Sequence, residues 1–121
     1  MTKILIIEDS AVWQANYRTG LPATVEIIEA RTFEEGRTAI AQLATNPTAF
    51  DIMIVDGCLY SDNFDTPPLV EQALSLGFKG PIVAGSSNPT LNEMLMQRGC
   101  THNAKIKESV LRFLRTNFNI Q

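Results

Sequence analysis

The sequence has few cysteines, no long apolar run and no excess of basic residues, and each shortage excludes a class of protein. Its two cysteines, Cys58 and Cys100, are too few for a disulfide framework and lack the CxxC spacing of a zinc or redox site. No segment approaches the roughly 18 apolar residues that a membrane helix needs, and the first ten residues contain no signal-peptide core. We therefore expect a cytosolic protein with reduced cysteines and no membrane association.

Charge and composition narrow the class further. The formal net charge is −3, and the ten lysines and arginines are scattered along the chain, so no basic patch is available for phosphate backbones. We do not expect direct nucleic-acid binding. A length of 121 residues with 45% hydrophobic and 19% charged residues is ordinary for one globular domain that buries its own core. Residues 1–121 are expected to form that single domain, without an attached output domain.

Five segments have the composition of β-strands. Residues 3–7, 51–55 and 81–85 carry Val and Ile at consecutive positions, as do parallel strands that are buried on both faces. Residues 24–30 alternate in part, which predicts a strand nearer the edge of the sheet. Residues 101–106 form a weaker fifth candidate.

A helical pattern follows each of these strands. Ser10 is a good N-cap for a first helix that runs to about Gly20, and Gly77 is a suitable stop for the third. The inner face of the third helix is predicted to contain Leu69, Val70, Ala73, Leu74 and Leu76. The second, fourth and fifth helices are predicted over residues 33–45, 91–98 and 110–117.

This alternation of strand and helix predicts an α/β fold. The number of strands favours a flavodoxin-like (βα)5 three-layer sandwich with a parallel sheet of order 2-1-3-4-5. In such sheets the ligand site lies at the carboxyl ends of the strands, at the switch point between the first and third strands. We therefore expect a functional site at that edge.

Polar side chains stand where the predicted strands end. They are Glu8 and Asp9 after the first strand, Asp56 after the third, Ser86 and Ser87 after the fourth, and Lys105 and Lys107 near the end of the fifth. Three carboxylates held together repel one another and require a cation. Hard oxygen ligands suit Mg²⁺, which often shares its site with a phosphoryl group, and the backbone carbonyl of Cys58 is a further candidate ligand. With a hydroxyl and a lysine nearby, the cluster suits phosphorylation of a carboxylate.

Simpler structural roles are open to the same residues. Asp9 can cap the first helix, and Asp56 before Gly57 can be an ordinary turn residue. Ser86 and Ser87 can cap the fourth helix, and for Ser87 this is the preferred interpretation. The position of Asp56 at the end of a central parallel strand favours the site interpretation for that residue.

Four motifs together resemble the receiver domain of two-component response regulators, over essentially the whole chain. They are "ILIIEDS", "FDIMIVDG", "PIVAGSS" and a lysine after "RGCTHNA", in this order and on the expected strands. The resemblance implies that Asp56 is the phosphoacceptor and attacks a phosphohistidine of a partner kinase. It further implies that Glu8 and Asp9 hold Mg²⁺ with Asp56, and that Ser86 hydrogen-bonds the acquired phosphoryl group.

The resemblance also implies a lysine that pairs with a phosphoryl oxygen, but two lysines compete for that role. Counting from Gly99 places the usual position at Ile106, between Lys105 and Lys107. We prefer Lys105, because a loop is more easily shortened than a strand is lengthened. Lys107 is the alternative.

Other positions concern dephosphorylation and output. Cys58 and Asn88, two residues after the phosphoacceptor and the hydroxyl, occupy positions that tune dephosphorylation in this family. Tyr60 takes the place of the usual proline, and His102 and Asn103 stand near the position of the usual aromatic switch residue. These departures predict that output does not follow the usual coupling from serine to aromatic residue.

The implied partners are proteins. A sensor histidine kinase or phosphotransfer protein would donate the phosphoryl group, and a downstream target would bind the face formed by the fourth helix, fifth strand and fifth helix. Met96 and Phe113 are predicted to be exposed there, as contacts with the target or with a second copy in a homodimer.

Two rival functions remain at the level of sequence. One is a pseudo-receiver, an interaction module that is not phosphorylated, and the missing proline and aromatic residue favour it. The other is a small Mg²⁺-dependent hydrolase, which we rank lower because the first strand lacks a DxD nucleophile motif and no general base is evident. The preferred interpretation is a phosphoacceptor that catalyses its own phosphotransfer and autodephosphorylation, rather than an enzyme acting on other substrates.

Overall fold

Strands and helices alternate along the chain in a computed structural model that describes residues 1–59 and 63–120. Within these residues one sheet of five parallel strands has the order β2-β1-β3-β4-β5. The strands are β1 (Thr2–Ile7), β2 (Val25–Ala30), β3 (Ile52–Val55), β4 (Ile82–Ala84) and β5 (His102–Asn103). The predicted flavodoxin-like fold and strand order are therefore confirmed.

A helix follows each strand. The helices are α1 (Ala11–Gly20), α2 (Phe33–Ala41), α3 (Pro67–Ser75), α4 (Pro89–Gln97) and α5 (Val110–Phe118), and 3₁₀ turns at Gln42–Ala44 and Lys107–Ser109 adjoin α2 and α5. The Ser10 hydroxyl accepts a hydrogen bond from the Trp13 N–H and caps α1, as its sequence position predicts. No helix in the described part of the chain is long and apolar enough to cross a membrane.

The sheet lies between two helical layers because its central strands are apolar on both faces. Leu5 and Ile7 of β1 belong to a core cluster with residues of α2, α3 and α4, such as Leu69. Ile4 and Ile6 face the opposite side and join residues of α1 and α5. Successive residues of a strand point to opposite faces, so burial of both faces explains the unbroken apolar runs in the sequence.

The fifth strand is much shorter than residues 101–106. The paired residues of β4 and β5 end at Asn103, one further hydrogen bond joins the Ala104 N–H to the Ala84 carbonyl at 3.2 Å, and Lys105 then adopts a left-handed backbone conformation with φ of 76°. The Lys105 N–H donates to the Asn103 side-chain Oδ1 at 2.8 Å instead of to a neighbouring strand. A left-handed residue cannot continue an extended strand, so the chain leaves the sheet at this point.

Side-chain exposure differs from the sequence prediction on three helices. Leu74 and Leu76 are exposed, although the apolar spacing predicted that both belong to the inner face of α3. Met96 and Phe113 are half-buried rather than exposed, because each packs against a core cluster. Phe113 also makes an edge-on contact with the His102 ring, at a centroid distance of 6.0 Å.

Candidate functional site

The carboxyl edge of the sheet brings three acidic side chains together. Ile7 is in register with Val55, so the residues that follow β1 and β3 are neighbours. The Asp56 N–H extends the ladder by donating to the Ile7 carbonyl at 3.0 Å. One carboxylate oxygen from each of Glu8, Asp9 and Asp56 lies within 4.8 Å of the other two. The topology thus produces the acidic cluster that the sequence predicts.

Lys107, and not Lys105, lies in this cluster. The Lys107 Nζ is 2.6 Å from Glu8 Oε1 and 3.3 Å from Asp56 Oδ2, and the residue is only 7% exposed. Lys105 has an exposed side chain, and its backbone forms the left-handed turn after β5. The preference for Lys105 is therefore wrong as to position, because the count from Gly99 assumes a regular extended strand that this turn interrupts.

An aromatic ring covers the ammonium group of Lys107. The Lys107 Nζ lies 5.6 Å from the centroid of the Trp13 ring, which is half-buried near the start of α1. At this distance the negative face of the ring attracts the cation. The sequence alone did not place Trp13 over the lysine.

Glu8 is a buried carboxylate that the protein itself partly satisfies. It is 2% exposed, its Oε2 accepts a hydrogen bond from the Ser10 N–H at 3.0 Å, and its Oε1 pairs with Lys107. Burial, followed by the charge of Asp56, raises the pKa of Glu8 to about 7, although Lys107 and the Ser10 N–H oppose the increase. The surroundings of Glu8 therefore disfavour its ionised form.

Asp56 shows the same imbalance. Burial raises the pKa of Asp56 above its ordinary value, while the charge of Lys107 and the Gly57 N–H, which donates to Oδ1 at 2.8 Å, act in the opposite direction. Burial lowers the pKa of Lys107, but its hydrogen bond with Glu8 and the charges of Asp56 and Glu8 outweigh burial and leave it raised. With every group ionised, three carboxylates and one ammonium leave two uncompensated negative charges.

A cavity of about 470 Å³ opens beside Asp56. Its lining residues are Asp9, Asp56, Cys58, Ser86, Ser87, Asn88 and Leu91. Glu8 and Lys107, both buried, support Asp56 from the protein side. The arrangement places Asp56 and Ser86, both largely buried, at the wall of a cavity large enough for a small charged group.

The loop between β4 and α4 is held by asparagines. The Ser86 Oγ accepts a hydrogen bond from the Asn88 N–H at 3.1 Å, and Asn88 Oδ1 accepts one from the Thr90 N–H at 2.9 Å. Asn88, and not Ser87, is therefore the N-cap of α4. Asn92 is a further buried residue at this loop, and the sequence did not single it out. A polar residue on the inner face of a helix, one turn before the apolar Leu95, is a signal that could have identified it.

The donor set fits a hard divalent cation. Three carboxylates supply oxygen ligands within one small region, and the uncompensated negative charge favours a cation there. Cys58 lies at the cavity wall and is half-buried, in the segment where its carbonyl was predicted to be a ligand. The other cysteine, Cys100, belongs to the hydrophobic core and is not among the residues that line this cavity. Burial raises the pKa of its thiol to about 12.

Comparison with known proteins locates this architecture among solved structures. No protein-family model and no curated protein sequence matches the chain. A CheY-like response regulator receiver domain protein from Methanospirillum hungatei JF-1 superimposes with a TM-score of 0.75 and 18% identity, over 98% of this chain and 91% of that one. The chain has the receiver-domain fold.

Other solved structures agree with this assignment of fold. The chemotaxis protein CheY4 of Vibrio cholerae matches with a TM-score of 0.68 and 23% identity, over 96% of this chain and 98% of that one. A Burkholderia pseudomallei response regulator, described with a phosphorylated aspartic acid, a calcium ion and citrate, matches with a TM-score of 0.69 and 19% identity, over 98% of this chain and 69% of that one. The superpositions establish the receiver fold. At identities this low they do not establish the function, which has to be inferred from the residues of the site.

Tyr60, which takes the place of the usual proline, lies outside the described residues. The described residues do bring together Glu8, Asp9, Asp56, Ser86 and Lys107 at one edge of the sheet.

Proposed function

We propose that this chain is a receiver of a two-component phosphorelay, and that Asp56 accepts a phosphoryl group from the phosphohistidine of a sensor histidine kinase or phosphotransfer protein. One observation carries the proposal. A carboxylate with a buried lysine beside it lines an open cavity, together with Asp9 and the Ser86 hydroxyl, at the carboxyl edge of a receiver fold.

Mg²⁺ is the cofactor that this donor set favours. Glu8, Asp9 and Asp56, with the backbone carbonyl of Cys58, would hold the cation. When bound, a divalent cation neutralises charge on the phosphoryl oxygens and on the carboxylates. The calcium ion in the Burkholderia pseudomallei response regulator, which also carries a phosphorylated aspartic acid, supports a divalent site in this fold.

The chemistry is a nucleophilic substitution at phosphorus. An Asp56 carboxylate oxygen forms the new O–P bond while the bond from phosphorus to the donor imidazole nitrogen breaks. The donor imidazole, which carries a proton on its other ring nitrogen, keeps the bonding electron pair and leaves as a neutral imidazole. The product is an acyl phosphate. Lys107 provides a cation for the phosphoryl oxygens, and the Ser86 Oγ, which accepts from the Asn88 N–H, can donate its own proton to them.

Loss of the phosphoryl group follows by attack of water on the same phosphorus, which regenerates the Asp56 carboxylate. Cys58 and Asn88 both line the cavity. From there they would restrict the approach of that water. We therefore propose that these two residues set the lifetime of the phosphorylated state. The chain acts as a phosphoacceptor that catalyses its own transfer and dephosphorylation.

The output is proposed to pass through protein contacts in the cytosol. The face formed by α4, β5 and α5 would bind a downstream protein or a second copy of the chain. Met94 on α4 is 38% exposed, while Phe113 and Met96 contribute only partly exposed surface. Direct binding to nucleic acid or membrane forms no part of the proposal.

The test is chemical labelling. Purified protein with Mg²⁺ and acetyl phosphate is expected to acquire an acid-stable, base-labile phosphoryl group, and the Asp56→Asn variant is expected to acquire none. Asp51→Asn is the matched control, because Asp51 is an exposed aspartate at the opposite end of β3. Equal labelling of wild type and Asp56→Asn would reject Asp56 as the acceptor.

The pseudo-receiver is the alternative that the same experiment separates. It predicts no label on the wild type. It also predicts a melting temperature that millimolar Mg²⁺ leaves unchanged in wild type and Asp9→Asn alike, because a ligand stabilises only a state that binds it. A Mg²⁺-dependent rise in the wild type, reduced in Asp9→Asn, supports the receiver.

A further inference from the structure

Asn92 connects two loops that approach the site from different strands. Its side chain is 0% exposed, on the inner face of α4. Asn92 Oδ1 accepts a hydrogen bond from the Ser86 N–H at 2.8 Å, and Nδ2 donates to the Ser86 carbonyl at 2.8 Å. The same Nδ2 donates to the Lys105 carbonyl at 2.9 Å. One buried amide therefore holds the β4–α4 loop and the β5–α5 loop together.

These bonds are specific to an amide side chain. A primary amide has two N–H donors and one carbonyl acceptor, and all three functions are used here. An apolar residue, such as the buried Leu95 nearby, would pack equally well on the inner face of α4. With such a residue at position 92, however, the Ser86 N–H and the Ser86 carbonyl would both lose their hydrogen-bond partners. Packing alone does not account for asparagine at this position.

The second loop depends on this connection. Lys105 has φ of 76°, a conformation that is unfavourable for a residue with a Cβ. Its N–H is bound by Asn103 Oδ1 and its carbonyl by Asn92 Nδ2, so both polar groups of the residue are held. Asn103 is in turn anchored, because its Nδ2 donates to Glu93 Oε1 on α4 at 3.0 Å.

The turn at Lys105 directs the next residues toward the site. Lys107 follows two residues later and reaches Glu8 and Asp56 with its ammonium group. The Ser86 hydroxyl, on the other loop, lines the cavity beside Asp56. Beyond the last backbone hydrogen bond of the sheet, from the Ala104 N–H to the Ala84 carbonyl at 3.2 Å, the two loops are thus joined through Asn92.

We infer that Asn92 is a positioning residue of the phosphoacceptor site, which couples the Ser86 loop to the Lys105–Lys107 loop so that a displacement of one is passed to the other. The inference deepens the proposed function and rests on it only for the phosphorylated state. In the unphosphorylated protein the coupling depends only on the hydrogen bonds that Asn92 makes with Ser86 and Lys105.

The first arm of the test uses no phosphoryl donor. In Asn92→Ala, the amide NMR signals of Ser86, Lys105 and Lys107 are all expected to shift. Fluorescence of Trp13, the sole tryptophan, is expected to move toward its value in Lys107→Met, because Lys107 leaves the ring. The control is Asn117→Ala, which removes an exposed asparagine on α5. Shifts confined to Ser86, with Lys105, Lys107 and Trp13 as in wild type, would overturn the inference.

Asn92→Leu guards against a variant that does not fold. Leucine fills the buried space on α4 while removing all three hydrogen bonds, and a cooperative melting transition confirms that the variant is folded. The same NMR and fluorescence results are expected from it as from Asn92→Ala. Unchanged Lys105 and Lys107 signals in folded Asn92→Leu would contradict the coupling as directly.

The second arm adds Mg²⁺ and acetyl phosphate. In the wild type, the signals of Ser86 and Lys105 are expected to move together on phosphorylation. In the Asn92 variants, Asp56 is expected to label about 10- to 100-fold more slowly, with the half-saturating Mg²⁺ concentration unchanged within about twofold, because the carboxylates are intact and only the hydroxyl and ammonium are misplaced. Lys105 is expected not to respond.

The two proposals fail in different ways. Unlabelled wild-type protein rejects the phosphoacceptor function, and the first arm still decides the coupling. Labelled Asn92 variants in which Lys105 responds as in wild type reject the coupling and leave the acceptor function in place.

Discussion

The β3 side and the β5 side of the same site are positioned by different means. Asp56 follows a fully buried strand with neighbours on both sides, and the sheet ladder continues through its own N–H. Lys107 follows a two-residue strand and a left-handed residue, and side chains of α4 hold that segment. The difference teaches that the sheet register places the Asp56 carboxylate, whereas side-chain hydrogen bonds from α4 help to place the Lys107 ammonium group. Substitutions should therefore affect the two sides separately.

The largest expected effect separates the two lysines. Lys107→Met is expected to slow Asp56 labelling by acetyl phosphate about 100-fold or more, because a buried cation beside the reacting oxygens is lost. Lys105→Met is expected to label within about twofold of wild type, since its side chain is exposed and its bound groups are backbone atoms. Equal losses in the two variants would contradict the assignment of Lys107.

Glu8, which lies beside Asp56, should give the protein a specific pH dependence of stability. Since the pKa of Glu8 is raised to about 7, the folded state holds a proton that the unfolded state releases near pH 4.5. The stabilising contribution of protonated Glu8 is therefore lost as pH rises from about 4.5 to 7. With chelator present, the free energy of unfolding of Glu8→Gln relative to wild type should rise by at most about 3 kcal/mol between pH 5 and 8.

Urea denaturation at several pH values measures this difference, and Glu34→Gln is an exposed control. The slope of the difference is decisive, because the interaction of ionised Glu8 with Lys107 is already contained in the raised pKa of Glu8. A Glu8→Gln curve parallel to that of wild type would show that burial does not raise the pKa of Glu8.

A substitution in the aromatic contacts near β5 should lower the stability of the protein without slowing the labelling of Asp56. Phe113→Ala removes ring contacts with His102 and Phe118, whose centroids lie at 6.0 Å and 5.8 Å. For a half-buried ring we expect a loss of about 2 kcal/mol in urea denaturation. Labelling of Asp56 should stay within about twofold of wild type, and Arg112→Ala, an exposed neighbour, should change neither. A large fall in labelling would show that the aromatic contacts reach the site.

The smallest expected effect concerns the turn itself. Lys105→Gly should raise the free energy of unfolding by about 0.5 to 1 kcal/mol, because glycine adopts a positive φ without steric cost. Lys79→Gly is the matched control, since Lys79 is an exposed loop lysine outside the positive-φ residues. It should be neutral or destabilising. Destabilisation by Lys105→Gly beyond that of the control would contradict strain at this turn.

Patterns that are local or fixed by topology were predictable from the sequence. Consecutive apolar residues identified the buried strands, strict alternation with helices gave the strand order, and that order brought Glu8, Asp9 and Asp56 to one edge. Ser10 and Gly77 marked helix ends correctly, the latter with φ of 87°.

Features that depend on tertiary hydrogen bonds were not predictable. The lysine could not be chosen by counting, because the turn at Lys105 is held by Asn92, which lies 13 residues earlier in the chain. The exposure of Leu74 and the partial burial of Phe113 likewise depend on which neighbours each helix meets, and helical spacing alone does not contain that information.

The most direct test of the central claim is intact-mass and peptide mass spectrometry after incubation with Mg²⁺ and acetyl phosphate. The account predicts the mass of one added phosphoryl group, located on the peptide that contains Asp56, lost on treatment with base and absent when a chelator replaces Mg²⁺. An unmodified wild-type chain, or a phosphoryl group on another residue, would contradict it.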